Sequence, residues 1–369
     1  MSKKLLFIIG TRPELIKVFP IINYLKGINY TNYKIVATGQ HKDLLESYWN
    51  VFNIQPDYEL NIIKKGQNLT LLTSKAILGI DELLKEINKE FFPDVILAQG
   101  DTTTVMAAAM VAFYNNIEFA HIEAGLRSFN LQHPFPEEFN RKVASIVTNY
   151  HFAPTTIAKE NLLKENINEK KIHVVGNTVV DTLNYFIENK ILDNHNFSNA
   201  NLNNIKNTTV LITCHRRENH LNLNNLIEAI TELSAANKNL TFIWPVHPNP
   251  NVKSKVENSV LNEKHNVIIT EPLEYLDLIK IISSSKVIIS DSGGIQEEAP
   301  TFGVPVLILR ETTERPEAVN LGYSKLVGMN KHEIINAFNN FNPIFENTKN
   351  PYGDGHSSKR IIETLISNQ

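Results

Sequence analysis

Three carboxylates in this 369-residue chain stand where chemistry is often built: Asp101 in "QGDTTT", Glu123 in "HIEAGLRS" and Glu137 in "PFPEEFNRK". Each has an ordinary reading as well. Asp101 is expected at a helix N-cap, where a carboxylate accepts free N–H groups, and Glu137 at another helix start is favoured by the helix dipole. Three acids in neighbouring turns nevertheless make an acid/base constellation, because gathered carboxylates raise one another's pKa and supply both a proton acceptor and a donor near neutrality. Arg127 follows Glu123 in the same segment and adds a cation at that edge.

Other residues point to an anion. Gly10-Thr11-Arg12-Pro13-Glu14 follows an apolar run, with Lys17 one turn on. Pro13 suits a first helical position and Arg12 can fork onto a phosphate, although a helix start with a solvated Arg explains the same residues. In "SDSGGIQEE" (290 to 298), Ser292, Gly293 and Gly294 offer helix-start amides to a diphosphate, and Arg315 adds charge. At ~1.5 Å per residue, Glu298 sits ~6 Å beyond Gly294, suited to ribose hydroxyls; Glu297, about 100° round the helix, serves structure. His215 in "HRREN" can bind phosphate or move a proton, and His247 in "VHPNP" can satisfy backbone groups of a Pro-flanked loop. Cys214 and His215 alternate to opposite faces of their strand, so they form no nucleophile pair. No His-x-x-x-His or Cys-x-x-Cys spacing, no G-x-G-x-x-G after the first strand and no Walker-type lysine loop appears, so no metal and no cofactor is expected.

The elements that must hold these residues read as strands handing over to helices. "LLFIIG", "YKIVATG", "DVILAQG", "EFAHIEA" and "KIHVVG" alternate with helical patterns in the first half, and "TVLITCH", "LTFIWPVH", "NVIITEP", "KVIISD" and "VPVLILR" do so in the second. This is the pattern of βαβ units and parallel sheets, so the fold class is α/β with two doubly wound, Rossmann-like domains, and ligand groups are expected just past the strand ends. The domain change is expected near 176 to 182, and the Asn-rich stretch 188 to 207 opens the second domain as the least structured part. With 42% hydrophobic and 20% charged residues the chain can build sizeable cores. A net charge of −3 gives no general attraction to nucleic acid or an anionic membrane. The single cysteine excludes an intramolecular disulfide, the N-terminal apolar run reads as a strand rather than a leader, and a cytoplasmic location is expected.

The set "GTRPE", "TGQH", "QGDTTT", "HIEAGLRS", "PFPEEFNRK", "GNTVVDT", "HRREN", "VHPNP", "DSGGIQEEAP", "TTERPEA" and "NPYGDG", running in order from residue 8 to 355, resembles the bacterial non-hydrolysing UDP-N-acetylglucosamine 2-epimerases. The resemblance implies a glycosyltransferase-B-like fold with two domains, 1–175 and 176–354, around a cleft, a C-terminal helix (355–369) returning to the first domain, and a homodimer. It implies reversible inversion at C2 of UDP-N-acetylglucosamine, for surface polysaccharide synthesis, through UDP elimination, a 2-acetamidoglucal and re-addition. It marks Asp101, Glu123, Glu137 and His215 as catalytic candidates, and Arg12, Lys17, Ser292, Gly293, Gly294, Glu298 and Arg315 as substrate-binding candidates. Gln40 and His41 match a segment tied to activation by substrate in some relatives, whereas Asp43 and Gly66 stand where some activated relatives have other polar or basic residues. A hydrolysing 2-epimerase, the same chemistry on a modified UDP-N-acetyl sugar, a glycosyltransferase and a sugar-nucleotide sensor are the alternatives.

Overall fold

The computed structural model describes residues 2–39, 48–62, 66–205, 207–343 and 350–366; Gln40, His41 and Asp43 lie outside them. The chain forms two compact units, Met1–Thr182 with Tyr352–Gln369, and Leu183–Pro351.

In the first unit, strands β1 (Leu5–Ile9), β2 (Tyr33–Ala37), β3 (Tyr58–Glu59), β4 (Val95–Gln99), β5 (Glu118–Ile122), β6 (Tyr150–Ala153) and β7 (Ile172–Val174) make a seven-stranded sheet in the order β3-β2-β1-β4-β5-β6-β7. Every pairing is parallel. Helices α1 (Arg12–Gly27), α2 (Leu69–Ile87), α3 (Thr103–Tyr114), α4 (Glu137–Val147) and α5 (Thr156–Lys164) follow their strands in turn, and α6 (Thr178–Glu188) starts in this unit and runs on past its boundary at Thr182. All five residues of β1 are inaccessible, as in a strand covered on both faces, which explains the unbroken apolar run. Strand order reverses between β1 and β4, the switch point at which a doubly wound sheet opens a crevice beyond its C-terminal strand ends.

"GNTVVDT" and "NPYGDG" join the chain's return to this unit. Gly176 has φ 98°, and a Cβ there would lie 2.5 Å from Ser357 Oγ, so only glycine fits. Asn177 N–H donates to Tyr352 O at 2.7 Å, and the Asp181 carboxylate accepts from the N–H groups of Ser357 (3.2 Å) and Ser358 (2.7 Å). These bonds hold the start of the C-terminal helix Ser357–Ile366, which packs on α1.

In the second unit, β8 (Thr208–Thr213), β9 (Leu240–Pro245), β10 (Val267–Thr270), β11 (Ser285–Ser290), β12 (Val306–Ile308) and β13 (Ser324–Leu326) make a six-stranded parallel sheet in the order β10-β9-β8-β11-β12-β13. Its helices are α7 (Leu223–Ala236), α8 (Pro250–Glu257), α9 (Tyr275–Ser284), α10 (Gly293–Glu298), α11 (Pro316–Asn320) and α12 (Lys331–Asn340). One core runs under this sheet, from Val210 and Trp244 to Ile334 and Phe338. The Asn-rich stretch is more ordered than its composition suggests. It holds helical turns at Ile191–Asn194 and Ala200–Leu202, and is tied to α9, where buried Asp277 accepts from Ser198 N–H (3.1 Å) and bonds His195 Nε2 (2.5 Å). Asparagine side chains there cap turns, with Asn199 accepting from Asn201 N–H at 3.1 Å, so the bias encodes turns rather than disorder.

Candidate active site

In the first unit the acidic candidates stand at adjacent strand ends. Gln99 and Ile122 close β4 and β5 in register, so Asp101 and Glu123 leave neighbouring positions of the sheet edge. Asp101 is not the N-cap that its sequence position predicts. Thr102 takes that place, its hydroxyl accepting from Val105 N–H at 3.4 Å, and this releases the Asp101 side chain from capping. Its carboxylate instead accepts from Arg141 Nε (3.0 Å) and Nη2 (2.7 Å), while Asn140 Nδ2 donates to Asp101 O at 2.9 Å. Both partners lie on α4, one turn beyond Glu137 and on its face of the helix, so α4 brings its own half-buried acid toward the Asp101 turn.

Glu123 has φ 69°, a left-handed conformation that costs a non-glycine residue roughly 1–2 kcal/mol and persists where surrounding contacts impose it. Those contacts include two on its carboxylate: Lys17 Nζ forms a close ion pair with Oε2, and Asn177 Nδ2 donates to the same oxygen at 3.3 Å. Lys17, a diphosphate candidate from sequence, is therefore seated on an acid candidate. Arg12 lies over the Tyr48 ring at 5.6 Å. Two charged neighbours are structural. Buried Glu138 accepts from the N–H groups of Ser128 and Phe129 and from Arg141 Nη1, each at 3.0 Å, and Arg127 forks onto Glu165 at 3.0 and 2.7 Å.

In the second unit, Ser292 is the N-cap of α10, so Gly293 and Gly294 open the helix with unspent amides. A Cβ at Gly293 would lie 2.7 Å from Arg315 Nη1; the glycine clears the place the guanidinium occupies. Arg315 Nε pairs closely with buried Glu297, and Tyr275 OH donates to Glu298 Oε1 at 3.0 Å, so the two glutamates have separate tasks. Arg310 forks onto Glu314 at 2.7 and 3.2 Å, with Arg216 and Arg315 at 3.6 and 3.8 Å from the same carboxylate. Burial opposes that charge, but Arg310, Arg315 and Arg216 outweigh it and hold Glu314 at about 2. Arg216 also lies 3.8 Å from Glu218, so Arg216, Arg310 and Arg315 form one network with Glu218, Glu297 and Glu314.

His215 is exposed just past β8, with the His247 ring 5.7 Å away. Protein packed around it pushes its imidazole below the ordinary value, Asp291 raises it, and His247 and His220 lower it further. His247 Nδ1 accepts from Asn249 N–H at 3.1 Å, the loop-satisfying role its sequence context suggests. Cys214 is buried, and burial pushes its thiol up.

A family model described as UDP-N-acetylglucosamine 2-epimerase matches residues 24–366. The chain belongs to the UDP-N-acetylglucosamine 2-epimerase family. The UDP-N-acetylglucosamine 2-epimerase of Neisseria meningitidis serogroup A is 44% identical, over 99% of this chain and 100% of its own length. That of Escherichia coli K12 is 39% identical, over 99% of each. A crystal structure of the Neisseria meningitidis enzyme bound to UDP-GlcNAc superposes with a TM-score of 0.88 at 42% identity, covering 99% of this chain and 100% of that one. A glycotransferase of kitacinnamycin, 10% identical with a TM-score of 0.59 over 99% of this chain and 94% of its own, shares the fold alone. The chain has the α/β fold that its strand pattern predicts, in the glycosyltransferase-B-like form that the resemblance implies. Among its described residues no helix is long and apolar enough to cross a membrane.

Sequence reasoning missed the residues that orient these candidates: Asn140 and Arg141 for Asp101, Asn177 for Glu123, Asn219 and Asp291 around His215, Tyr275 for Glu298, and Arg310 and Glu314 among the arginines. A faint signal existed in "EEFNRK", where Asn140 and Arg141 fall three and four positions after Glu137 and share its helical face.

Proposed function

We propose that the protein catalyses the reversible, non-hydrolysing epimerisation of UDP-N-acetylglucosamine to UDP-N-acetylmannosamine, supplying an activated sugar for surface polysaccharide synthesis. The observation that carries this reading is Glu123: a carboxylate in a left-handed backbone, tied to Lys17 and Asn177, one strand from an Asp101 released from capping. An acid held this way is suited to proton transfer at a fixed carbon.

A carboxylate among Asp101, Glu123 and Glu137 takes the C2 proton as the C1–O bond breaks and UDP leaves with the bonding pair, giving a 2-acetamidoglucal. Return of a proton to the opposite face of C2, with the C1–O bond remade to UDP, completes the inversion. In the second unit Ser292, Gly293, Gly294 and Arg315 stabilise the diphosphate as it gains charge and His215 adds a phosphate contact or a proton, while Arg12 is the first unit's substrate-binding candidate. Lys17 acts at one remove, through Glu123. Glu298, aimed by Tyr275, accepts the ribose hydroxyls. The protein works as a cytoplasmic homodimer. Exposed Phe113 and Tyr114 on α3 and Phe139 and Ile146 on α4 support a second copy as the cover, and sedimentation as a monomer would remove that part.

Incubation with UDP-N-acetylglucosamine in D2O tests the reaction. Deuterium at C2 with the manno epimer still joined to UDP is the expected result. Free N-acetylmannosamine would identify hydrolysis instead, and an unlabelled, unchanged substrate would end the reading.

A further inference from the structure

We propose that Asp291 is the positioning residue of the His215 loop: fixed at the end of β11, its buried carboxylate gathers that loop's N–H groups and sets where the imidazole stands. The inference rests on the reading of His215 as a group that touches the diphosphate or moves a proton.

Thr213 and Ser290 close β8 and β11 in register, and their hydroxyls bond at 2.6 Å, so His215 and Asp291 emerge from adjacent strands. Asp291 is completely inaccessible. Its carboxylate accepts from His215 N–H at 2.9 and 3.1 Å, from Arg216 N–H at 3.0 Å and from Asn219 Nδ2 at 2.8 Å. Asn219 Nδ2 also donates to Leu309 O at 3.0 Å, which ties the loop to the residue after β12. Successive backbone N–H groups turned onto one anion form a nest, and here the anion is the protein's own. A loop that would otherwise leave β8 freely is drawn to a single point, while the His215 side chain stays exposed. The groups facing that imidazole are Asp291 from β11, His247 from the turn after β9 and His220 from the same loop. Asp291 is the anion among them, so it also favours the protonated ring.

Asp291→Asn keeps the shape, removes the charge and turns one acceptor into a donor facing donors. The expected result is a fall in kcat of about ten- to a hundredfold with KM within about threefold. In the substrate-free protein the His215 imidazole, followed by NMR, is expected to titrate at lower pH. Asn219→Ser retains the carboxylate, so kcat falls by a smaller factor while the titration stays near wild type. An Asp291→Asn protein whose His215 titrates as in wild type overturns the proposal, whatever its rate. Should Asp291→Asn not fold, Asn219→Ser decides: wild-type kcat overturns the proposal and a lowered kcat supports it. Wild-type turnover by His215→Asn would remove the catalytic reading of His215, while the titration in Asp291→Asn still reports whether Asp291 governs the ring.

Discussion

Asp101 and Glu123 are each held by a cation, Arg141 and Lys17, whereas Glu137 stands at the first turn of α4 beside the structural Glu138. Replacing each acid by its amide keeps its volume and removes its capacity to exchange protons. Asp101→Asn, Glu123→Gln and Glu137→Gln are therefore expected to lower kcat by roughly 10²–10⁴, the usual contribution of a positioned acid or base, while UDP affinity changes little. Steady-state rates with calorimetric titration of UDP separate the two effects, and wild-type turnover by all three variants would remove the acid/base assignment. Gly293 has a different vulnerability. An alanine Cβ at 2.7 Å from Arg315 Nη1 displaces the guanidinium, and the diphosphate loses a charge-assisted partner. The expected outcome for Gly293→Ala is a rise of about tenfold in the Kd for UDP, equivalent to roughly 1.4 kcal/mol. Unchanged affinity would show that Arg315 holds no phosphate.

Within α1 the first turn carries a buried acid. Glu14 Oε2 accepts from the N–H groups of Gly10 (2.5 Å) and Thr11 (3.2 Å), which fixes the turn that presents Arg12. Burial pushes this carboxyl up to about 7, from 4.5, against the pull of those bonds. The folded state therefore keeps a proton that the unfolded chain has released by pH 4.5. Its contribution is full below pH 4.5 and is lost as pH rises through 7, a cost of roughly 3 kcal/mol at alkaline pH. His121 and His151 act in the opposite sense: burial holds them at about 4 and about 3, so their contribution is lost as pH falls below 6.5. That acid-side loss is common to wild type and a Glu14 variant and cancels between them. Glu14→Gln can keep the acceptor at Oε2 and place its amide nitrogen at Oε1, which has no hydrogen-bond partner among the described residues. Thermal melts should show Glu14→Gln more stable than wild type at pH 8 and nearly equal at pH 5, and an equal gap at both would contradict this account. The strands and the strand-end positions of the candidates were legible, because apolar runs ending in glycine or a small polar residue are local patterns. The orienting partners were not. Arg141 lies 40 residues from Asp101 and Asp291 lies 76 from His215, and no periodicity reports such pairings. Asp101 was misread as a cap because Asp and Thr both cap well, and their order in "GDTT" does not decide between them.

Across the whole chain, the path leaves the first unit after Thr182 and returns at Tyr352, so the C-terminal helix rejoins its unit after an excursion of 169 residues, Leu183–Pro351. Closing so long an excursion carries an entropic cost that local contacts at the point of return must offset. Those contacts include the close approach of Gly176 to Ser357, Asn177 N–H on Tyr352 O, Arg360 Nη1 on Val175 O at 3.1 Å, and Asp181 on the helix start. Asp181 matters most for stability, since without it two buried N–H groups at a helix N-terminus lose their acceptor along with a charge favourable to the helix dipole. Asp181→Ala should destabilise the docked helix by roughly 2–4 kcal/mol, and Asp181→Asn, which keeps one carbonyl, by about half as much. Limited proteolysis gives the direct readout, because cleavage near residue 350 releases only a fragment that has undocked. Faster loss of the C-terminal fragment in the order wild type, Asp181→Asn, Asp181→Ala is expected. If all three are cut at one rate, the helix is held by its apolar face against α1, through Ile361, Ile362 and Leu365, and "GNTVVDT" has another purpose.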